Sequence, residues 1–186
     1  MEKDFISALK KDGVGVMPTD TIYGLVASAF SPESCERVKE IKGRDASKGF
    51  IVLISSIDDL EKFDVVVSEK AKNFMQKFWP GKLSIVLSPQ SKKFDYLSAE
   101  DGTIAFRFPD KKNLIEILEQ TGPLIAPSAN PQGFPPAKNI DEAKKYFDEK
   151  VDFYIDEGEL VSAPSTLVKI IGDDIQVIRQ GTVEII

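Results

Sequence analysis

The sequence predicts a single α/β domain: a twisted mixed parallel/antiparallel sheet with flanking helices. Three observations predict it. Short apolar runs of strand character alternate with segments of helical spacing, a pattern that favours parallel pairing. Near the C-terminus two further runs face each other across Gly172-Asp173-Asp174, which adds an antiparallel hairpin. And 186 residues, 42% hydrophobic and 29% charged, suit one domain over 1–186. A chain of that length buries roughly 70% of its unfolded surface, enough for a single core.

Along the chain, Phe5, Ile6 and Leu9 have helical spacing, and Gly13 supplies a C-cap. Val14 to Met17 reads as a short strand ending at Pro18, and the segment PTDTIYGL after it reads as a turn. Ser31-Pro32 is an N-cap followed by proline at the first helical position, opening a helix to about Ile41. A loop, KGRDASKG, leads to the buried-strand run Phe50–Ile54. Ser56 caps a short helix to Leu60 and Ser68 another to Phe78, which Trp79-Pro80-Gly81 ends. Leu83–Leu87, Thr103–Phe108 and Leu124–Pro127 read as strands, with a helix over Asn113–Gln120. Five of the eleven prolines fall between Pro123 and Pro136, so the loop from Ser128 to Lys138 is rigid. A helix (Asp141–Lys150), a strand (Phe153–Ile155) and the hairpin Thr166–Ile170 with Ile175–Arg179 complete the chain.

Composition excludes several chemistries. With no histidine and one cysteine, Cys35, there is no Ser-His or Cys-His catalysis and no standard zinc site. A lone cysteine forms no internal disulfide and fits a reducing, cytoplasmic setting. The longest apolar run, Phe50 to Ile54, is far short of the ~20 residues that span a membrane. A net charge of −6 argues against a protein that coats nucleic acid. Asp141 to Leu160 alone holds eight acidic residues against three lysines, a balance of −5, so the rest of the chain sums to only −1 and has room for a basic pocket.

Four segments carry polar groups that a purely structural account strains to explain. PTDTIYGL, Pro18 to Leu25, comes after a strand, where open α/β sheets bind ligands; equally, its threonines suit a capped turn. Lys42, Arg44 and Lys48 put three cations within seven residues, suited to phosphate groups or to a solvated surface. Arg107 alternates with Phe106 and Phe108, so it stands on the opposite face of an apolar strand, where it either snorkels to water or meets an anion. Ser128-Ala129-Asn130 comes after a buried strand, and its side chains hold a ligand or the local backbone. The familiar phosphate motifs are missing. Gly81-Lys82 lacks the rest of a P-loop, and Gly13-Val14-Gly15 precedes its strand instead of following it.

In order along the chain, PTDTIYGL, KGRDASK, FIVLI, FWPGKLSIVL, TIAFRFP, APSAN, PSTLVK and VIRQG resemble the YrdC family of threonylcarbamoyl-AMP synthases, spanning Met17 to Gly181. The resemblance implies a twisted mixed sheet around a concave basic cavity. It implies a reaction in which L-threonine, bicarbonate and ATP give threonylcarbamoyl-AMP and pyrophosphate, with Mg²⁺ accompanying the ATP. The adenylate then serves a separate transferase complex that modifies tRNA beside the anticodon, and contact with tRNA or double-stranded RNA is compatible with the same basic cavity.

By motif, the resemblance implies that Thr21 and Arg107 contact threonine, with Ser165 and the backbone of Ala126 beside them. It implies that Arg44, Lys48, Ser128 and Arg179 contact ATP, with Thr103 and Pro136 next to it and Lys42 and Asn130 in the phosphate region. Leu53 stands where many members carry a histidine, and Pro136 where they carry a serine. The alternative expectation is a relative that binds nucleotide or RNA through the same cavity without making the adenylate. The inventory suits the chemistry in one respect: a carbamate oxygen attacking an α-phosphorus needs orientation and charge neutralisation, not a protein nucleophile.

Overall fold

The computed structural model describes residues 2–45 and 47–185. Helix α1 (Glu2–Lys10) leads to strands β1 (Gly15–Pro18) and β2 (Tyr23–Ser28), helix α2 (Pro32–Lys42) and strand β3 (Ile51–Leu53). After a 3-10 segment (Ile57–Phe63) come α3 (Glu69–Phe78), β4 (Leu83–Leu87), a second 3-10 segment (Lys92–Leu97) and β5 (Ile104–Arg107). Helix α4 (Lys112–Thr121), β6 (Leu124–Ile125), α5 (Ile140–Phe147), β7 (Phe153–Tyr154) and the hairpin β8 (Thr166–Ile171) and β9 (Asp174–Arg179) complete the chain.

Among the described residues, nine strands make one sheet in the order β7-β1-β2-β6-β3-β5-β4-β8-β9. β1 with β7, β3 with β5, and β4 with β8 are parallel; the remaining neighbours are antiparallel. The mixed sheet is therefore as expected. The strands on the β1, β2, β6 and β3 side of the sheet send alternate residues to two apolar layers. On one face Phe5 and Leu9 of α1 and Leu114 and Leu118 of α4 pack against Met17, Val26, Leu53 and Leu124. On the other, Val16, Leu25, Val52, Ile85 and Phe106 meet α2, α3 and α5 through Val38, Met75 and Phe147. Phe63 sits there at 5.0–5.2 Å between ring centres from Phe30, Phe94 and Phe106. Phe63, Phe94 and Phe106, which are buried, each contribute about 1.5–3 kcal/mol by burial, whereas Phe30 remains exposed. No helix among the described residues is long and apolar enough to cross a membrane.

Three local expectations change. Tyr23 to Ser28, whose first residues read as a turn, is β2, and it pairs with β1 from Tyr23 to Val26. Its run is buried on both sides, so it has no polar alternation to announce a strand. Gly13 is not the left-handed cap of α1; that residue is Asp12, at φ 63°. Gly13 is needed instead for close approach, since a Cβ there would lie 2.7 Å from the Ala8 carbonyl oxygen, to which its own N–H donates. Ser56 does not cap the segment after it through its side chain; Asp59 reaches back and accepts from Ser55 N, Ser55 Oγ and Ser56 N. The Ser31 and Ser68 caps form as read, accepting from Ser34 N and Ala71 N.

Candidate functional site

Thr19 organises the turn between β1 and β2. Its Oγ1 donates to Ile22 O at 2.7 Å and accepts from Thr21 N and Ile22 N at 3.2 and 3.3 Å. The turn is thereby fixed at the carboxyl end of β1, with Thr21 Oγ1 3.2 Å from Thr19 Oγ1. Arg107, at the end of β5, projects to the same side as its register partner Leu53, opposite Ile104 and Phe106. It meets this turn: Nη2 is 3.4 Å from Thr19 Oγ1 and 3.0 Å from Asp20 Oδ1. The Arg107 and Asp20 side chains are only 4% and 1% exposed. Burial pulls the guanidinium below its ordinary range, Asp20 opposes that, and nearby Arg179 adds repulsion.

These groups close one side of a cavity of about 190 Å³. Thr21, Arg107, Ala126 and Ser165 line it together with Ser128, Pro136 and Arg179. Residues from opposite ends of the chain thus share one space because their strands belong to one sheet, in the run β2-β6-β3-β5-β4-β8-β9. Arg179 is held by Nη2 donating to Ser165 O at 2.9 Å, and Ser165 Oγ lies 2.8 Å from Ser84 Oγ. Thr19, Ile22, Gly24, Ile51 and Pro164 also line the cavity. The signal for Thr19 was its place in PTDTIYGL; Ile51 and Pro164 carry no polar side chain to mark them.

Five of the expected residues lie off this lining. Lys42, 4% exposed, sends Nζ to Ser128 O and Asn130 O, both at 2.6 Å, and to Asn130 Oδ1 at 3.2 Å. Asn130 Nδ2 donates to Pro131 O and Phe134 O. The pair ties the proline-rich loop to the end of α2. Burial, with Arg44 and Lys48 nearby, pushes Lys42 down to about 7. Lys42→Met removes the ammonium from four oxygens, of which Ser128 O keeps the Asn130 N–H, and is expected to cost roughly 3 kcal/mol, measured by denaturant unfolding; an unchanged midpoint would free this lysine for a ligand.

Arg44 donates through Nε to Lys48 O at 3.1 Å and through Nη2 to Gly49 O, with its guanidinium carbon 5.4 Å from the centre of the Phe50 ring. Lys48 is exposed. Thr103 donates from Oγ1 to Asp101 Oδ1 at 2.6 Å, and Asp101 Oδ2 takes Lys169 Nζ at 2.6 Å. Lys169 first and Thr103 second hold the Asp101 carboxyl down to about 2. Its contribution to stability is therefore complete above its ordinary value of 3.8 and lost as pH falls through about 2. The gap in unfolding midpoint between the unmodified protein and Asp101→Asn should accordingly close between about pH 4 and pH 2.

A partly open cavity on an α/β sheet, with a buried guanidinium beside hydroxyl groups and a second arginine in the same lining, suits small anionic ligands. The sequence profile of a family described as Sua5/YciO/YrdC, telomere recombination, matches residues 7–181. The chain belongs to that family. It is 33% identical over 180 residues to a putative threonylcarbamoyl-AMP synthase of Mycobacterium tuberculosis, covering 96% of this chain and 82% of that one. It is similar to the crystal structure of Pyrococcus abyssi Sua5 complexed with L-threonine, with a TM-score of 0.85 and 28% identity over 95% of this chain. It spans only 53% of that Sua5 chain. Escherichia coli YciO shares the fold, with a TM-score of 0.86 and 24% identity over 97% of this chain and 88% of that one.

Proposed function

We propose that the chain is a threonylcarbamoyl-AMP synthase, joining L-threonine, bicarbonate and ATP with release of pyrophosphate. The observation that carries this reading is that one small cavity brings Arg107, Thr19 and Thr21 together with Ser128 and Arg179; the first three make the end we assign to threonine and the last two the end we assign to phosphate. At the first end the planar guanidinium takes the threonine carboxylate and Thr21 the hydroxyl. The neutral amine adds carbon dioxide and loses a proton to give a carbamate, that proton balancing the one consumed as bicarbonate dehydrates to carbon dioxide and water; a carbamate oxygen then attacks the α-phosphorus while pyrophosphate leaves. Arg179 meets the charge that builds on the phosphates, and the walls keep water from the labile adenylate. The adenylate then passes to a separate transferase complex acting on tRNA.

Magnesium would arrive with the nucleotide. No carboxylate lines the cavity, and among the described residues no group of three or more acidic, cysteine or histidine side chains is set to hold a metal ion. The residues do not make a magnesium site of their own, and no step of the reaction is routed through one.

A second reading, nucleotide binding without synthesis, draws on one observation: Arg44 and Lys48 stand off the lining, with Arg44 committed to backbone carbonyls. Pyrophosphate release with ATP and bicarbonate, measured with and without L-threonine, separates the two. Release that depends on threonine is expected; ATP binding with no such release would overturn the synthase.

A further inference from the structure

Among the described residues Asp20 is the carboxylate paired with Arg107 at the cavity wall, and the synthase reaction gives it no part. It sits between Thr19 and Thr21, which both line the cavity, yet its side chain is itself only 1% exposed. Its Oδ1 is 3.0 Å from Arg107 Nη2, an ion pair that helps keep the guanidinium charged. Both Asp20 oxygens, and Arg107 Nε, have no hydrogen-bond partner. The turn cannot swing Asp20 toward water, because Thr19 holds it through its bonds to Thr21 and Ile22. A buried ion pair kept only for stability is expected to satisfy its remaining lone pairs and protons. This one leaves them unused, directly behind a ligand cavity.

Charge decides what such a wall accepts. Arg107 and Asp20 together are neutral in low-dielectric surroundings, where charges act strongly on one another. A ligand that offers only a carboxylate gains the guanidinium but brings a second negative charge up to Asp20. A ligand that carries an ammonium next to its carboxylate restores the balance. Lys111, the other cation close to this turn, contacts the Pro18 and Thr19 carbonyls and is already paired with Glu157. Arg179 lines the same cavity and is near enough to repel Arg107, a further positive charge that Asp20 offsets in part.

We propose that Asp20, by neutralising Arg107 from behind, makes this end of the cavity select a zwitterionic α-amino acid over a plain carboxylate. The inference rests on the proposal that threonine is the substrate. Asp20 is a positioning residue: it acts through Arg107 and touches no reacting atom.

The test is calorimetric binding of L-threonine and of 3-hydroxybutanoate, the same skeleton without the ammonium, to the unmodified protein, Asp20→Asn and Asp20→Glu. The unmodified protein and Asp20→Glu should prefer threonine. In Asp20→Asn the ratio of the two affinities should fall by roughly tenfold, with 3-hydroxybutanoate binding more tightly than before. A merely structural role for Asp20 would weaken both ligands alike, so an unmoved ratio overturns the inference. If Asp20→Asn does not fold, Asp20→Glu decides: a preference for 3-hydroxybutanoate while the carboxylate is retained overturns it. An unmodified protein that ignores threonine overturns instead the substrate proposal on which the inference stands.

Discussion

Arg107→Lys should lower threonine-dependent pyrophosphate release roughly 10- to 100-fold while ATP binding measured without threonine stays near that of the unmodified protein. Lysine keeps the charge, so the buried Asp20 retains a counter-ion and the protein remains folded. The planar fork is lost. A carboxylate held by two parallel N–H donors is left with one contact to a compact ammonium, and one charge-assisted hydrogen bond is worth about 1.5–3 kcal/mol. Arg107 is held beside Thr19, whereas Arg179, held on Ser165 O, is the arginine proposed to meet the phosphates. A variant that loses ATP binding and threonine use equally would show that Arg107 serves the phosphates, and the division of the cavity would be wrong.

Gly181→Ala should have the second large effect, on activity more than on stability. A Cβ at Gly181 would lie 2.3 Å from Pro164 O and 2.5 Å from both Ser165 C and Thr166 N, all backbone atoms that cannot yield cheaply. Thr166 Oγ1 holds the segment there, accepting from Gly181 N and Val183 N and donating to Val183 O. The clash is therefore relieved by moving Pro164 and Ser165, both in the cavity wall, or Arg179, two residues earlier. Overpacking of this kind costs about 1–3 kcal/mol of stability. Misplacing a binding wall by an ångström can cost on the order of 100-fold in rate. Gly172→Ala is the control. It is strained by its φ of 60°, at roughly 1–2 kcal/mol, but a Cβ there meets nothing within 4 Å. Equal losses of activity in the two variants would show that the Gly181 contact does not shape the site.

Much of the fold was legible because the core layers impose clean periodicity. Alternation in TIAFRFP put Arg107 opposite Phe106, and the sheet has it so. The serine caps announced α2 and α3 by residue type alone. β2 escaped because a strand buried on both faces lacks the polar half of the pattern, and because Thr19 and Asp20 just before it read as turn residues. The site was legible where motifs marked it. Thr21, Arg107, Ser128, Ser165 and Arg179 do share one cavity, through strand neighbours that no local pattern specifies. Lys42 and Asn130 show the limit. Their types suit a phosphate, yet here the ammonium of one and the amide of the other are used on the loop itself, a fact of tertiary contact alone.

The sheet order has a consequence for how firmly each half of the cavity is held. β5, which carries Arg107, has hydrogen-bonded strands on both sides, β3 and β4. β9, which carries Arg179, is an edge: it pairs with β8 alone, and that register shifts between Leu167 and Val168, just where Arg179 is matched. Opening of the outer strand needs only one ladder to break, whereas displacing β5 needs two. The cavity is thus hinged in free energy if not in shape. One end is held from both sides, and the other is only as permanent as a hairpin.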